Sequence, residues 1–249
     1  MKKKIGILVG LFVILVVMFA PARLAEGFIP KNNDLLVGNL TGSLWSGKID
    51  QISLKGWNLH EVEYDLSLIS LISGSLGGDS SVKNGDLKGD FSFQINDNKN
   101  ISLSQANIDI DAVNFEKYMP FPGINLDGVA STNDFSIQLI EQKPSLLSGM
   151  TSWNNATVSL NGNSWSLGNF DILWDTNQET NLITGTLSKA KKNQLGIEGK
   201  VTLSKDGLFE FRGSISASID QNIYAALSLF SNGPVKDGRL PIKFKKKIY

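Results

Sequence analysis

From Leu35 to the C-terminus, apolar and small residues recur at every second position in short runs, and Gly, Asn and Asp cut the runs apart. A period of two puts alternate side chains on opposite faces of an extended chain, whereas a helix needs a period near 3.6. Ile197, Gly199, Val201 and Leu203 precede Asp206-Gly207, and Phe209, Phe211, Gly213 and Ile215 follow it. That arrangement predicts a hairpin in which Asp-Gly supplies the positive φ values of a type I′ turn. Asn161-Gly162 stands likewise between Val158, Leu160 and Trp165, Leu167, and Asn84-Gly85 precedes a run over 87–95. Further strands are predicted over 35–40, 48–54, 59–66, 101–113, 128–140, 170–174 and 182–188. Helix is scarce. Residues 220–231 place Ile223, Tyr224, Leu227 and Phe230 on one face, with Asp220 as N-cap and Gly233 past the end. A single turn is expected over 68–72. The fold class is therefore all-β, a mainly antiparallel sheet system with one or two short helices.

The N-terminus is of another kind. Lys2, Lys3 and Lys4 precede an uncharged apolar run over 5–20, which ends at Pro21 and Arg23. As a helix, residues 5–22 would span about 27 Å, against a hydrocarbon core of roughly 30 Å. The three lysines hold the N-terminus in the cytoplasm and send the remainder across. Ala20-Pro21-Ala22 has the small-x-small spacing of a cleavage site, but the run is longer than a typical signal core, and Pro followed by Arg suits cleavage poorly. The expectation is a transmembrane signal anchor over 1–26 and a β domain over 27–249, with a junction of two sub-halves near 114–123, where Pro120 and Pro122 interrupt the strands.

Several function classes find little support. Basic and acidic residues balance at 24 each, so nothing draws the chain to nucleic acid. Lys243, Lys245, Lys246 and Lys247 read as a solvated tail. With 0 cysteines, no disulfide, thiolate metal site or thiol nucleophile can form, which suits an oxidising periplasm. The one histidine, His60, lies in a strand-like stretch between Leu59 and Val62, and no nucleophile elbow, phosphate loop or zinc-protease helix occurs. Asp109 and Asp111 fall on one face of a strand, opposite Ile108 and Ile110, which is the pattern of a wet surface rather than a calcium site; Asp127 and Asp134 lie further on. No cofactor or metal is expected, and no enzyme. For most of Trp57, Trp153, Trp165 and Trp174, core packing is expected. Trp45 stands between Gly42 and Gly47, as where a large ring lies over bare backbone.

The segment Leu40-Thr41-Gly42-Ser43-Leu44-Trp45-Ser46-Gly47, set shortly after a single N-terminal apolar run, resembles the opening of the type II secretion system protein N family. Later stretches fit in family order: Gly149 with Trp153 and Ala156, Leu167-Gly168-Asn169-Phe170, Leu195-Gly196-Ile197-Glu198-Gly199 before Asp206-Gly207, and Asp237-Gly238-Arg239-Leu240. Serine where threonine often precedes the Leu-Trp pair, and a lysine-rich tail, are departures. The resemblance implies a single-pass protein of the bacterial inner membrane with a periplasmic β domain. It would be an accessory, scaffolding part of the machine that exports folded proteins across the outer membrane. Gly42, Leu44, Trp45, Gly47, Gly149, Trp153, Gly168, Gly199, Asp206, Gly207 and Gly238 would be structural or partner-contact positions, and the partners would be inner-membrane platform or pseudopilus subunits. The family is also similar to AsmA-like proteins, whose curved sheets form an open half-barrel or sandwich with a groove for lipid, so a lipid-binding or lipid-transfer module is the alternative. A sugar-acting enzyme would require two carboxylates about 5 to 10 Å apart in a cleft.

Overall fold

The computed structural model describes residues 19–27, 35–97, 99–118, 123–160, 162–187 and 193–248. Most of the expected membrane anchor, the prolines at 120 and 122, and Asn161 lie outside them. Among the described residues, no helix is long and apolar enough to cross a membrane. The chain divides into two compact units, Met1–Asn98 and Lys99–Tyr249.

The first unit carries a 3-10 helix at Ala22–Gly27 and six strands: β1 (Leu35–Val37), β2 (Leu40–Gly42), β3 (Ser46–Leu54), β4 (Trp57–Leu66), β5 (Leu76–Gly85) and β6 (Leu87–Asp97). β3 to β6 pair antiparallel in order, and β1 and β2 both lie along the free side of β3. The run expected as one strand over 35–40 is thus two, broken at Gly38-Asn39, where Gly38 N donates to Gln51 O at 2.7 Å and Asp50 N to Asn39 O at 3.1 Å. Register aligns Leu40, Ile49, Val62 and Val82 in one row across β2 to β5. Leu40, Val62 and Val82 are buried, so this row is the unit's core. β5 is a strand that polar residues hid: Gly77, Gly78, Asp79, Ser80 and Ser81 have little β propensity, and pairing on both sides recruits them.

The second unit runs β7 (Asn100–Asp111), a 3-10 helix (Ala112–Tyr118), β8 (Ile124–Ile140), β9 (Lys143–Leu160), β10 (Asn163–Asn177), β11 (Leu182–Leu187), β12 (Glu198–Leu203), β13 (Leu208–Ser216), a helix (Gln221–Ser228) and β14 (Arg239–Lys247). Each strand pairs antiparallel with its sequence neighbour, and no pair of β14 with β7 closes the sheet among the described residues. β7 and β8 pair with each other on either side of the stretch near 114–123, of which 119–122 lie outside the described residues, and the two compact units divide between Asn98 and Lys99. The helix begins where Asp220 accepts from Asn222 N and Ile223 N. Its Tyr224 and Leu227 pack with Ile197, Phe211 and Ile219 on Ile215, Leu240 and Ile242.

The turns follow φ rather than composition. At Asp206-Gly207 only Gly207 has positive φ, +80°, and Gly207 N donates to Ser204 O at 3.0 Å, so a three-residue loop closed by a left-handed glycine replaces the expected I′ turn. The double positive φ of a I′ turn instead occurs at Asp237-Gly238, and also at Lys55-Gly56 and Glu141-Gln142. Asn84-Gly85 is no I′ turn: the pairing of β5 with β6, which runs to Val82 opposite Gly89, centres that hairpin one residue later, on Gly85-Asp86, and Asn84 has no positive φ. The expected lysine tail is strand β14, paired with β13 along its length, with Lys243 Nζ 3.3 Å from Glu210. Buried Leu240 and Ile242 anchor its first half in the core, and lysines on such an outermost strand discourage further pairing.

Candidate functional site

Residues 40–47 form a hairpin in which β2 and β3 pair from Leu40 opposite Ile49 to Gly42 opposite Gly47. Its tip is organised by Ser43, whose Oγ accepts from Trp45 N at 3.3 Å and from Ser46 N at 3.0 Å. Gly42 is required by its φ of +93°, and a Cβ there would approach Ser46 O to 2.7 Å. Gly47 is required by crowding. A Cβ at that position would collide with the Thr41 carbonyl and lie 2.7 Å from the Tyr64 hydroxyl.

The ring over Gly47 is thus Tyr64, not Trp45. Tyr64 comes from β4, which lies directly beside β3 in register with Gly47, and its hydroxyl donates to Ser43 O at 2.9 Å. Partial burial pushes the Tyr64 phenol above its ordinary range. Trp45 is held by its backbone, with Leu66 N donating to Trp45 O at 2.6 Å, while its side chain and that of Leu44 are half-buried.

One contact of this hairpin reaches outside the sheet. Leu44 N donates to Ala20 O at 2.7 Å, Pro21 bridges to Ser43, and Ala22 is buried. The residues immediately after the N-terminal apolar run are therefore fastened to the tip of the Gly-Ser-Leu-Trp-Ser-Gly segment.

The other singled-out residues lie in the second unit, and they shape the sheet rather than converge on a cleft. Gly149 has φ +96°, and a Cβ there would collide with Asp134 O, at a register shift between β8 and β9. Trp153 sits opposite Phe170, their rings 6.0 Å apart, and its Nε1 donates to Asp127 O at 3.1 Å. Gly168, φ +84°, lies at the bulges of β10 opposite Ala156 and bridges to Asn193. Gly199 pairs with Gly213, and the Phe211 ring covers both. In the same manner Trp174 covers Gly185, with Trp174 Nε1 donating to Thr151 Oγ1 at 2.8 Å. Asp206-Gly207 and Gly238 occupy loops at opposite ends of β13, one beside Leu208 and the other beside Ser216.

The expectation of core tryptophans needs correction, since all five are half-buried. In the second unit the helix Gln221–Ser228 covers the core at β13 and β14, while Trp174 rests on Gly185 and Trp153 on Phe170. Asp109 and Asp111 are exposed with Ile108 and Ile110 half-buried, as a wet strand face requires. Among the described residues, no group of His, Asp and Glu could hold a metal ion.

No local sequence pattern marks Arg239 and Glu198 as partners. Arg239 Nε lies 3.0 Å from Glu198 Oε1 and donates to Ser214 Oγ at 2.7 Å, and its Nη2 donates to Gly196 O at 2.6 Å. Two segments 43 residues apart are thereby joined across β13. A fork-shaped cation beside a Gly-x-Glu turn is a detectable signal only once the strand order is known.

The family described as type II secretion system (T2SS), protein N, has a model that matches residues 33–243. No curated protein and no solved structure matches the chain.

Proposed function

The chain belongs to the type II secretion system protein N family, and from that premise we propose that it is a single-pass inner-membrane protein whose β units act as a non-catalytic scaffold for other secretion subunits. One observation carries the proposal: the segment that opens the family pattern, Gly42 to Gly47, is bonded through Leu44 to Ala20, where the apolar run ends. A catalytic role would draw titratable groups together. A positioning role would use a turn such as Gly42 to Gly47, which on this proposal sets how the chain leaves the membrane and how the first sheet begins.

The partners on this proposal are platform or pseudopilus subunits, met through exposed sheet surface. Photo-crosslinkers placed at exposed Leu173 and Met150, adjacent on β10 and β9, test it in secreting cells. Adducts with secretion subunits are expected; adducts only with exported cargo or with lipid would count against scaffolding.

The lipid-binding alternative has one observation in its favour. Leu103, Ile137 and Leu147 align across β7, β8 and β9, and none of the three is fully buried. Phospholipid retained in native mass spectra, and lost on Ile137→Asp, would favour it.

A further inference from the structure

The exposed apolar side chains of the first unit have an uneven distribution. The helix Leu68–Ile72 presents Ile69 at 81% exposure and Ile72 at 88%, with Leu68 and Leu71 also exposed. No charged residue occurs between Asp65 and Asp79. A five-residue helix this greasy, held out from the sheet, is unusual on a surface that meets only water.

Its position supplies the occupant. Leu66, one residue before the helix cap Ser67, donates to Trp45 O at 2.6 Å, and the neighbouring Leu44 donates to Ala20 O at 2.7 Å. Two interstrand steps, roughly 10 Å, separate Ala20 from the root of the helix. Phe19, 77% exposed, lies one residue before Ala20 at this same end of the sheet, and in sequence it closes the apolar run. The other end is marked by Lys55-Gly56, which joins Leu54 to Trp57.

The helix is also prepared for a poorly hydrating medium. Ser67 Oγ accepts from Ser70 N at 3.2 Å. Ser70 O accepts from Ser73 Oγ at 2.7 Å, Ser75 Oγ at 3.0 Å and Ser75 N at 2.9 Å. Ile69 O and Leu71 O are taken by Ser73 N and Gly74 N. With these carbonyls satisfied inside the loop, apolar side chains can leave water without stranding backbone polar groups.

We infer that the helix Leu68–Ile72 docks into the acyl–headgroup boundary of the same bilayer that the N-terminal run enters, giving the first unit a second membrane contact. The inference rests on the anchor proposed above. It commits to lipid rather than to a protein partner because the bilayer is the one apolar phase that the adjacent chain already requires.

The sequence has no cysteine, so single cysteines can be placed at Ile72, at Val13 within the run, and at Leu36, an apolar residue 61% exposed opposite Ser53 at the other end. Each is labelled with an environment-sensitive fluorophore in proteoliposomes of phosphatidylethanolamine and phosphatidylglycerol. Expected are blue-shifted emission and quenching by lipid-borne nitroxide at Ile72 and Val13, and quenching by aqueous iodide at Leu36. Iodide quenching at Ile72 equal to that at Leu36, with Val13 still lipid-quenched, overturns the docking alone. Shielding of Ile72 from both quenchers assigns the helix to a second copy of the chain and overturns it too. Loss of lipid quenching at Val13 removes the anchor itself, and the docking with it.

Discussion

Arg239, the first residue of β14, spans β13 to meet Glu198 at the start of β12, Nε to Oε1 at 3.0 Å. The guanidinium also holds the carbonyls of Gly196 and Ser214, at 2.6 and 3.1 Å, so one side chain ties the approach to β12 to both following strands. Charged hydrogen bonds in partly shielded sites contribute about 1.5–3 kcal/mol. Arg239→Ala is expected to lower the unfolding free energy of the second unit by about that much in urea titrations followed by tryptophan fluorescence. Arg239→Lys should recover less than half, because an ammonium cannot reproduce the fork.

Gly47 is the least replaceable residue of the opening hairpin. Gly47→Ala sets a methyl against Thr41 O and the Tyr64 hydroxyl, and should cost about 1–3 kcal/mol as overpacking. Tyr64→Phe in the same chain relieves only the hydroxyl contact, so it should not restore the melting temperature. Gly56→Ala meets nothing nearby and strains only a φ of +83°, so it should cost about 1–2 kcal/mol. Thermal denaturation of the three variants side by side checks the order.

Trp45→Ala removes a half-buried ring. A fully buried tryptophan is worth about 3–5 kcal/mol on truncation, so roughly 2 kcal/mol is expected here. If the hairpin tip also meets a partner subunit, secretion in a complementation assay should fall further than a destabilisation of that size explains. Secretion that simply tracks the melting temperature across several variants would assign Trp45 to packing alone.

Stability should decline on both sides of neutrality. Glu63 is held below the ordinary carboxylate range by the hydrogen bond from Lys48, and Glu210 by that from Arg212. A lowered folded pKa means that the unfolded chain binds more protons in acid, so this stability is complete above the ordinary glutamate value and is lost as pH falls through the folded one. Tyr64 has the opposite sign: its raised phenol pKa stabilises fully below the ordinary tyrosine value and is lost as pH rises. Urea midpoints across the pH range should show both limbs, with Glu63→Gln and Glu210→Gln flattening the acid one and Tyr64→Phe the alkaline one.

Period-two runs revealed most strands because alternation survives wherever one face is partly shielded. It failed at β5, where Asp79, Ser80 and Ser81 lack an apolar rhythm, and at β14, where lysines masked Leu240, Ile242 and Phe244. Turn types were legible only in part. Gly207 takes the same left-handed φ in a three-residue loop as it would in a two-residue one, and Glu141-Gln142 forms a tight turn without glycine. Gly42 and Gly47 are recognisable as sites of close approach, but the rings are not: Tyr64 over Gly47 and Phe211 over Gly199 depend on cross-strand register, which no local pattern encodes. Ala20 on Leu44 is a contact of the same non-local kind.

The succession of β7 to β14, each beside its predecessor, bears on how such a chain can be made. Made N-terminus first, each of β8 to β14 can pair with the strand before it as soon as it emerges, so loop closure stays short and no edge waits long for a distant mate. The grip of Arg239 on Gly196 and Glu198 skips a strand, so it can form only after β14 has arrived beside β13.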